Sequence, residues 1–315
     1  MIDNFLIVAQ QVAVLFVLMG FGAVMRKAGF FKGNAIDGIV NVLILVVTPC
    51  LIVDVFQRPF DPSMLKGLGC AFVLAALIHV VLIILSKFVV RHRDENVRRP
   101  LRLAAVFSNA GFMGIPLEQA ILGDAGVFYG VVYIVVFNLF MWSWGYGVMQ
   151  NPSAPSTRHQ ALSTKMWVNP GTVGLALGVP LFFLSMKLPG VIGAPIHHMA
   201  NLNTPLAMIV IGYALAGAEF GKVLRTGAVY VATVVRLVVC PLLVIAALYP
   251  FRHALDRNMM LAMTVAASAP VAAMVSMFAQ KFGRDVDVSV AVVSGTTLLS
   301  ILTMPVVIAF AMGIL

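Results

Sequence analysis

Charge is what this sequence has least of. Of its 315 residues, 12 are acidic and 21 basic, so only 10% are charged; a soluble domain usually carries about 25%. With 61% hydrophobic residues and a mean hydropathy of +1.01, the chain is expected to be an all-α polytopic membrane protein. Cysteine is equally rare. Cys50, Cys70 and Cys240 each lie in an apolar run without Cys-x-x-Cys spacing, which excludes a disulfide frame or a cysteine metal site. There is no Gly-x-x-x-x-Gly-Lys-Ser/Thr loop, so no ATP-driven motor is expected. The first apolar run starts after Met1-Ile2-Asp3 without a basic n-region, so a cleavable signal is not expected either. An intramembrane enzyme would need facing Asp residues or His-Glu-x-x-His, and a retinal protein a mid-helix Lys. None is found, so a non-enzyme is expected. The net charge of +9 is spread over short loops, as topology signals are, rather than gathered on a face for nucleic acid.

Apolar runs of about 18 residues or more predict ten spans: Phe5–Met25, Ile36–Phe56, Leu65–Val90, Leu101–Leu122, Val127–Met149, Val168–Met186, Met199–Ala218, Ala228–Tyr249, Met259–Phe282 and Val288–Ile314. The longest polar connection, Gln150 to Lys165, divides them five and five. This predicts a first five-helix repeat over 1–150, a cytoplasmic linker over 151–166 and a second repeat over 167–315. Alternating the loops puts fifteen basic residues on one side, Lys32, Arg158, Lys165, Lys222 and Arg225 among them. Five fall on the other side, and Arg236 lies inside a span. The richer side is cytoplasmic by the positive-inside rule, so both termini face outward. Five helices per half then make the halves an inverted repeat, a common design of secondary transporters. Thr48-Pro49 in the second helix and Thr204-Pro205 in the seventh echo that repeat.

Two spans are interrupted. Ser108-Asn109-Ala110-Gly111-Phe112-Met113-Gly114-Ile115-Pro116-Leu117 breaks the fourth, and Ala266-Ala267-Ser268-Ala269-Pro270-Val271-Ala272 the ninth. In hydrocarbon, freed backbone groups are tolerated only where they line a cavity or meet protein. Paired interruptions in two halves point to a transporter's binding site. Half-helix N-termini carry partial positive charge and free N–H donors, so two of them can receive a carboxylate. Asn109 and Ser268 add polar groups, Gly111 and Gly114 admit close approach, and Pro116 and Pro270 mark the breaks.

Arg236 either holds an anionic substrate or pairs with a carboxylate such as Glu118 or Asp54. Glu118 either takes a coupling proton or sodium ion or lies at the membrane surface. Asn138 either bonds a neighbouring helix or stands beside the substrate. His79 is expected to be a satisfied core residue, and Trp142 and Trp144 interfacial anchors. Ser294, Thr297 and Ser300 form a polar stripe; Thr297 is an ion-coupling candidate, although such hydroxyls also bond their own helix. Gly126-x-x-x-Gly130 and Gly174-x-x-x-Gly178 suit close helix packing.

The string Asn109 to Leu117 resembles the fourth-helix motif of the auxin efflux carrier family, which includes plant auxin exporters and bacterial malonate and malate permeases. The chain shares the Asn and the Met113-Gly114-Ile115-Pro116-Leu117 tail. Ser268-Ala269-Pro270, Asn138 to Trp142 and Asn169-Pro170-Gly171 are similar to bacterial members. The resemblance implies the fold of bile-acid symporters and sodium/proton antiporters, with helices four and nine crossing at their breaks in a mobile transport domain. Helices one, two, six and seven would form a dimerising scaffold in a bacterial inner membrane. The long hydrophilic loop of plant members is absent, and Glu118 stands where they have Leu, which leaves ion coupling open. The expected function is secondary transport of a small organic anion without a cofactor, apart from a coupling proton or sodium ion. Partners would be the carboxylate, the bilayer and a second copy of the chain. The alternatives are a sodium/proton antiporter, against which speaks the missing Asp-Asp or Asn-Asp pair in helix five, and a non-transporting receptor.

Overall fold

The computed structural model describes residues 2–31, 35–150, 170–217 and 227–315. Lys32, Arg158, Lys165, Lys222, Arg225, Asn169 and the expected linker lie outside the described residues. The described chain is all helical apart from a single β-bridge. The elements are α1 (Ile2–Lys27), α2 (Ala35–Phe56), α3 (Pro62–Val89), α4 (Glu95–Val106), α5 (Ile115–Leu122), α6 (Asp124–Met149), α7 (Pro170–Phe183), α8 (Gly190–Asn201), α9 (Asn203–Leu215), α10 (Gly227–Phe251), α11 (Arg257–Ser268), α12 (Met274–Lys281) and α13 (Val286–Ile314). Six of these, α1, α2, α3, α6, α10 and α13, are long and apolar enough to cross a membrane.

Aspartates start several helices. Asp61, Asp94, Asp256 and Asp285 each accept a backbone N–H of the following first turn, which satisfies orphan donors and favours the helix dipole. The Ser63 bonds hold the Asp61 carboxyl below its ordinary range. Arg99, bonded to Glu95 at 2.5 Å, does the same for that carboxyl.

Among the described residues four π turns interrupt the helices, and three of them run directly into an Xaa-Pro: Leu43–Val47 before Thr48-Pro49, Ala110–Gly114 before Ile115-Pro116, and Val235–Val239 before Cys240-Pro241. A proline cannot donate to the carbonyl one turn back and its ring crowds that turn; the wider π turn relieves both. In the first of these, Thr48 Oγ1 donates to the Leu43 carbonyl at 2.9 Å.

Glycine sets the closest helix contacts. A Cβ on Gly22 of α1 would overlap the Ile209 carbonyl of α9, and one on Gly212 of α9 would overlap the Met19 carbonyl of α1. Gly174 and Gly178 of α7 lie on Ile52 and Phe56 of α2, with contacts of 3.0 Å to a modest added Cβ, as the small-residue spacing predicts. Where α2, α6 and α7 meet, Phe56, Phe128 and Phe182 pack with centroids 4.8 to 6.3 Å apart. Outward positions such as Val17, Phe21 and Val24 on α1, Leu77, Ile84 and Phe88 on α3, and Leu302 and Val306 on α13 are exposed. An apolar surface this extensive is suited to lipid.

Helix boundaries differ from the hydropathy reading in two places. The run expected at Leu101 begins at Glu95, because Asp94 caps a polar first turn that hydropathy cannot register. The run expected over Met199–Ala218 begins at Gly190 and is divided at Leu202, where the chain re-forms a helix ahead of Pro205.

Candidate functional site

α4 ends at Val106 and α11 at Ser268, and the extended residues after each meet in antiparallel pairing. Ser108 and Val271 form the bridge. Asn109 N–H donates to the Pro270 carbonyl at 2.6 Å, and Ala272 N–H to the Phe107 carbonyl at 3.0 Å. Breaking two helices frees backbone donors and acceptors, and each break satisfies part of the other's deficit. The Val271 N–H finds Thr296 Oγ1 at 3.1 Å on α13. Buried Ser108 donates to the Tyr133 hydroxyl at 3.4 Å.

Arg236 is wholly buried in α10. It pairs with neither Glu118 nor Asp54. Its Nη1 donates to the Val106 carbonyl at 2.8 Å, and its Nη2 to the Ala267 carbonyl and to Cys240 Sγ. Those carbonyls belong to the last turns of α4 and α11. Each such end carries about half a negative charge, so one guanidinium offsets both. The opposite ends remain: the first turn of the Ala110–Gly114 stretch leading into α5, and the start of α12. Ahead of α5 the leading N–H groups have no carbonyl of their own helix to meet, whereas at α12 Val275, Ser276 and Met277 N–H already donate to the Ala272 and Ala273 carbonyls at 3.0 to 3.3 Å.

Asn109 sits at the head of the first of these ends. Its side chain is 7% exposed and makes no capping bond, while its carbonyl accepts from Met113 and Gly114 N–H at 3.0 and 3.2 Å. Gly111 is uncrowded: an added Cβ would make ordinary contact with Ile134 Cδ1 at 3.9 Å. Gly114 has a tighter duty: an added Cβ would stand 3.5 Å from the Ala266 Cα, so the two broken segments touch there. Pro116 is buried in the first turn of α5. Ser268 is buried, and its hydroxyl donates to the Val265 carbonyl of its own helix at 2.9 Å.

The other candidates make mostly local contacts. Asn138 is half-buried and donates to the Ile134 carbonyl at 2.9 Å, so it bonds its own helix and not a neighbour. Thr297 likewise donates to Val293, and Ser300 to Thr297. The adjacent Thr296, which the sequence reading passed over, reaches the second break; a one-residue step turns a helical side chain by about 100°. Trp142 packs on Phe278 at 5.4 Å and Trp144 on Phe107 at 6.0 Å, so both contribute to the protein core beside the crossing. His79 is buried, Nδ1 on the Ala75 carbonyl at 2.7 Å and its ring stacked 5.3 Å from Phe140, while Nε2 has no partner.

Glu118 corrects the surface reading. It is fully buried, and neither carboxyl oxygen has a hydrogen-bond partner. The carboxyl occupies the space that Gly130 of α6 leaves open; a Cβ there would overlap Oε2. Gly126-x-x-x-Gly130 therefore does bring α6 close to α5, as its spacing suggests, and also makes room for an acid. Among the described residues, no three His, Cys, Asp or Glu groups are placed to hold a metal ion.

Residues 7–308 match the family described as membrane transport protein. No curated protein matches the chain.

Proposed function

The chain belongs to the membrane transport protein family, that of the auxin efflux carriers, and from that premise we propose that it is a secondary carrier of a small organic anion, a carboxylate such as malonate or malate. The observation that carries the reading is the pairing of Asn109 with Pro270, which leaves a buried, uncapped amide beside the N-terminal turns of two half-helices. Arg236 removes the opposing negative ends from play. About half a positive charge per N-terminus then faces a carboxylate, whose oxygens can accept from Asn109 and from leading backbone N–H groups.

Ten spans in an inverted five-plus-five repeat, with repeats over 1–150 and 167–315 and a linker over 151–166, accommodate the packing. Exchanging the halves maps α1 against α9 onto α7 against α2, and both contacts are glycine-mediated. It maps α4 against α13 onto α11 against α6, and it returns the crossing to itself. Both broken segments start from an aspartate cap. α1, α2 and α7 to α9 form the scaffold of this reading, with a second copy of the chain as its partner. The remaining helices form a unit that carries the crossing from one face of a bacterial inner membrane to the other, with both termini outside. Gly22 and Gly212 act within the scaffold.

A thermal-shift screen of mono- and dicarboxylates, with and without sodium and across pH, tests the proposal. A ligand at 100 times its Kd stabilises by about 2.7 kcal/mol, so a carboxylate substrate raises Tm measurably. No shift with any carboxylate speaks against it.

A further inference from the structure

Glu118 is a buried acid whose surroundings the crossing alone does not explain. Its carboxyl is fully buried, both oxygens lack a donor, and glycines make its space. Oε1 lies 3.8 Å from where a Cβ on Gly114 would stand, so the carboxyl reaches back along α5 toward the crossing, while Oε2 lies against Gly130. The described charged and titratable groups on the helices packed around it are engaged elsewhere or, like Lys27 of α1, exposed. On α6, Asp124 accepts from Gln119 at 3.0 Å, Tyr129 packs on Gly67 of α3, and Tyr133 bonds Ser108. Arg257 of α11 donates to the Met312 carbonyl at 2.8 Å, and Arg26 of α1 donates to the carbonyl of Tyr213 on α9 at 3.1 Å. None neutralises the acid. An isolated carboxylate in apolar surroundings takes up a proton rather than remain charged.

Resting on the carrier reading above, we propose that Glu118 is the proton-coupling site, binding one proton for each carboxylate carried. An ionised Glu118 would set a negative charge beside an anion site; the protonated acid does not. Proton and carboxylate therefore favour each other's binding, and the favour is mutual. In each cycle Glu118 takes a proton from water on one face, forming its O–H bond. It breaks that bond on the other face, returning the proton to water as the carboxylate leaves. Gly130 and Gly114 keep the acid at the crossing instead of at the surface.

The test uses Glu118→Gln, a neutral isostere of the protonated acid, with Glu118→Asp as the second variant. Infrared spectra of the protein in lipid nanodiscs at neutral pH are expected to contain a protonated-carboxyl carbonyl band that vanishes in Glu118→Gln and shifts in Glu118→Asp. In proteoliposomes held at zero membrane potential, wild type is expected to accumulate labelled malonate about tenfold per unit of pH gradient, the ratio for one proton per anion; Glu118→Gln exchanges malonate without accumulating it. Three results overturn the proposal: no such band, proton-driven accumulation that survives Glu118→Gln, or accumulation that follows sodium instead of protons. The band together with no malonate flux in any protein sustains the proton site and counts against the malonate reading instead.

Discussion

The backbone N–H of Asn109 donates to the carbonyl of Pro270 at 2.6 Å. One bond thus joins the two interrupted helices at the residues that interrupt them. Proline lacks its own donor, so the second break supplies an acceptor here and the first a donor. The side chain of Asn109 takes no part and caps neither segment.

Asn109→Ala leaves that backbone bond in place and removes only the amide. A hydrogen bond to a charged group is worth about 1.5–3 kcal/mol, so carboxylate affinity falls about ten- to hundredfold with little change in Tm. Isothermal titration with the carboxylate that gives the largest thermal shift measures it. Asn109→Asp, nearly the same in shape, places a negative charge against the ligand and lowers binding further.

Arg236→Gln strips the charge from the closed ends of α4 and α11. Two charge-assisted bonds to backbone carbonyls are lost, at about 1.5–3 kcal/mol each, and the carbonyl ends of both half-helices repel. Tm falls by several degrees in a nanodisc melt. Arg236→Lys recovers only part of this, since one ammonium lacks the fork that serves both carbonyls.

Gly130→Ala drives a methyl into Glu118 Oε2 and destabilises by about 1–3 kcal/mol, the usual cost of overpacking. In a Glu118→Ala background the same change becomes nearly neutral. A double-mutant cycle of melting free energies reads the coupling. Gly22→Ala meets backbone of α9 instead, and no second substitution at a side chain rescues it.

His197 donates from Nδ1 to Asp54 Oδ2 at 2.9 Å, and this bond raises its pKa above the ordinary 6.5. A histidine whose folded pKa is raised adds stability that is fully present below the unfolded value and is lost as pH rises through the folded one. The pair is exposed, so the effect is small. Tm of wild type relative to His197→Gln is therefore slightly higher under acid conditions, and the difference closes above neutral pH.

Much of this arrangement was legible from residue order alone, because membrane helices announce themselves by hydropathy and a Pro or Asn inside one is costly. The interruptions at Asn109 and Pro270 lie where the two extended segments pair. The resemblance carried by Met113 to Leu117 agrees with the family match over residues 7–308. What escaped was set by the far side of each contact. Besides Cys240 Sγ, the partners of Arg236 are backbone carbonyls, which carry no signature in sequence, so only carboxylate or substrate partners suggested themselves. The burial of Glu118 depends on a glycine in the next helix. Thr296 and Thr297 are neighbours in the chain but point a third of a turn apart, and hydropathy does not distinguish them.

The most direct test of the central claim is uptake of labelled malonate and malate into proteoliposomes by wild type, Asn109→Ala and Pro270→Ala, each checked for an intact melt. The account predicts flux in wild type and its loss in Asn109→Ala, with Pro270→Ala impaired. Flux left unchanged by both substitutions would contradict a carboxylate site at the crossing.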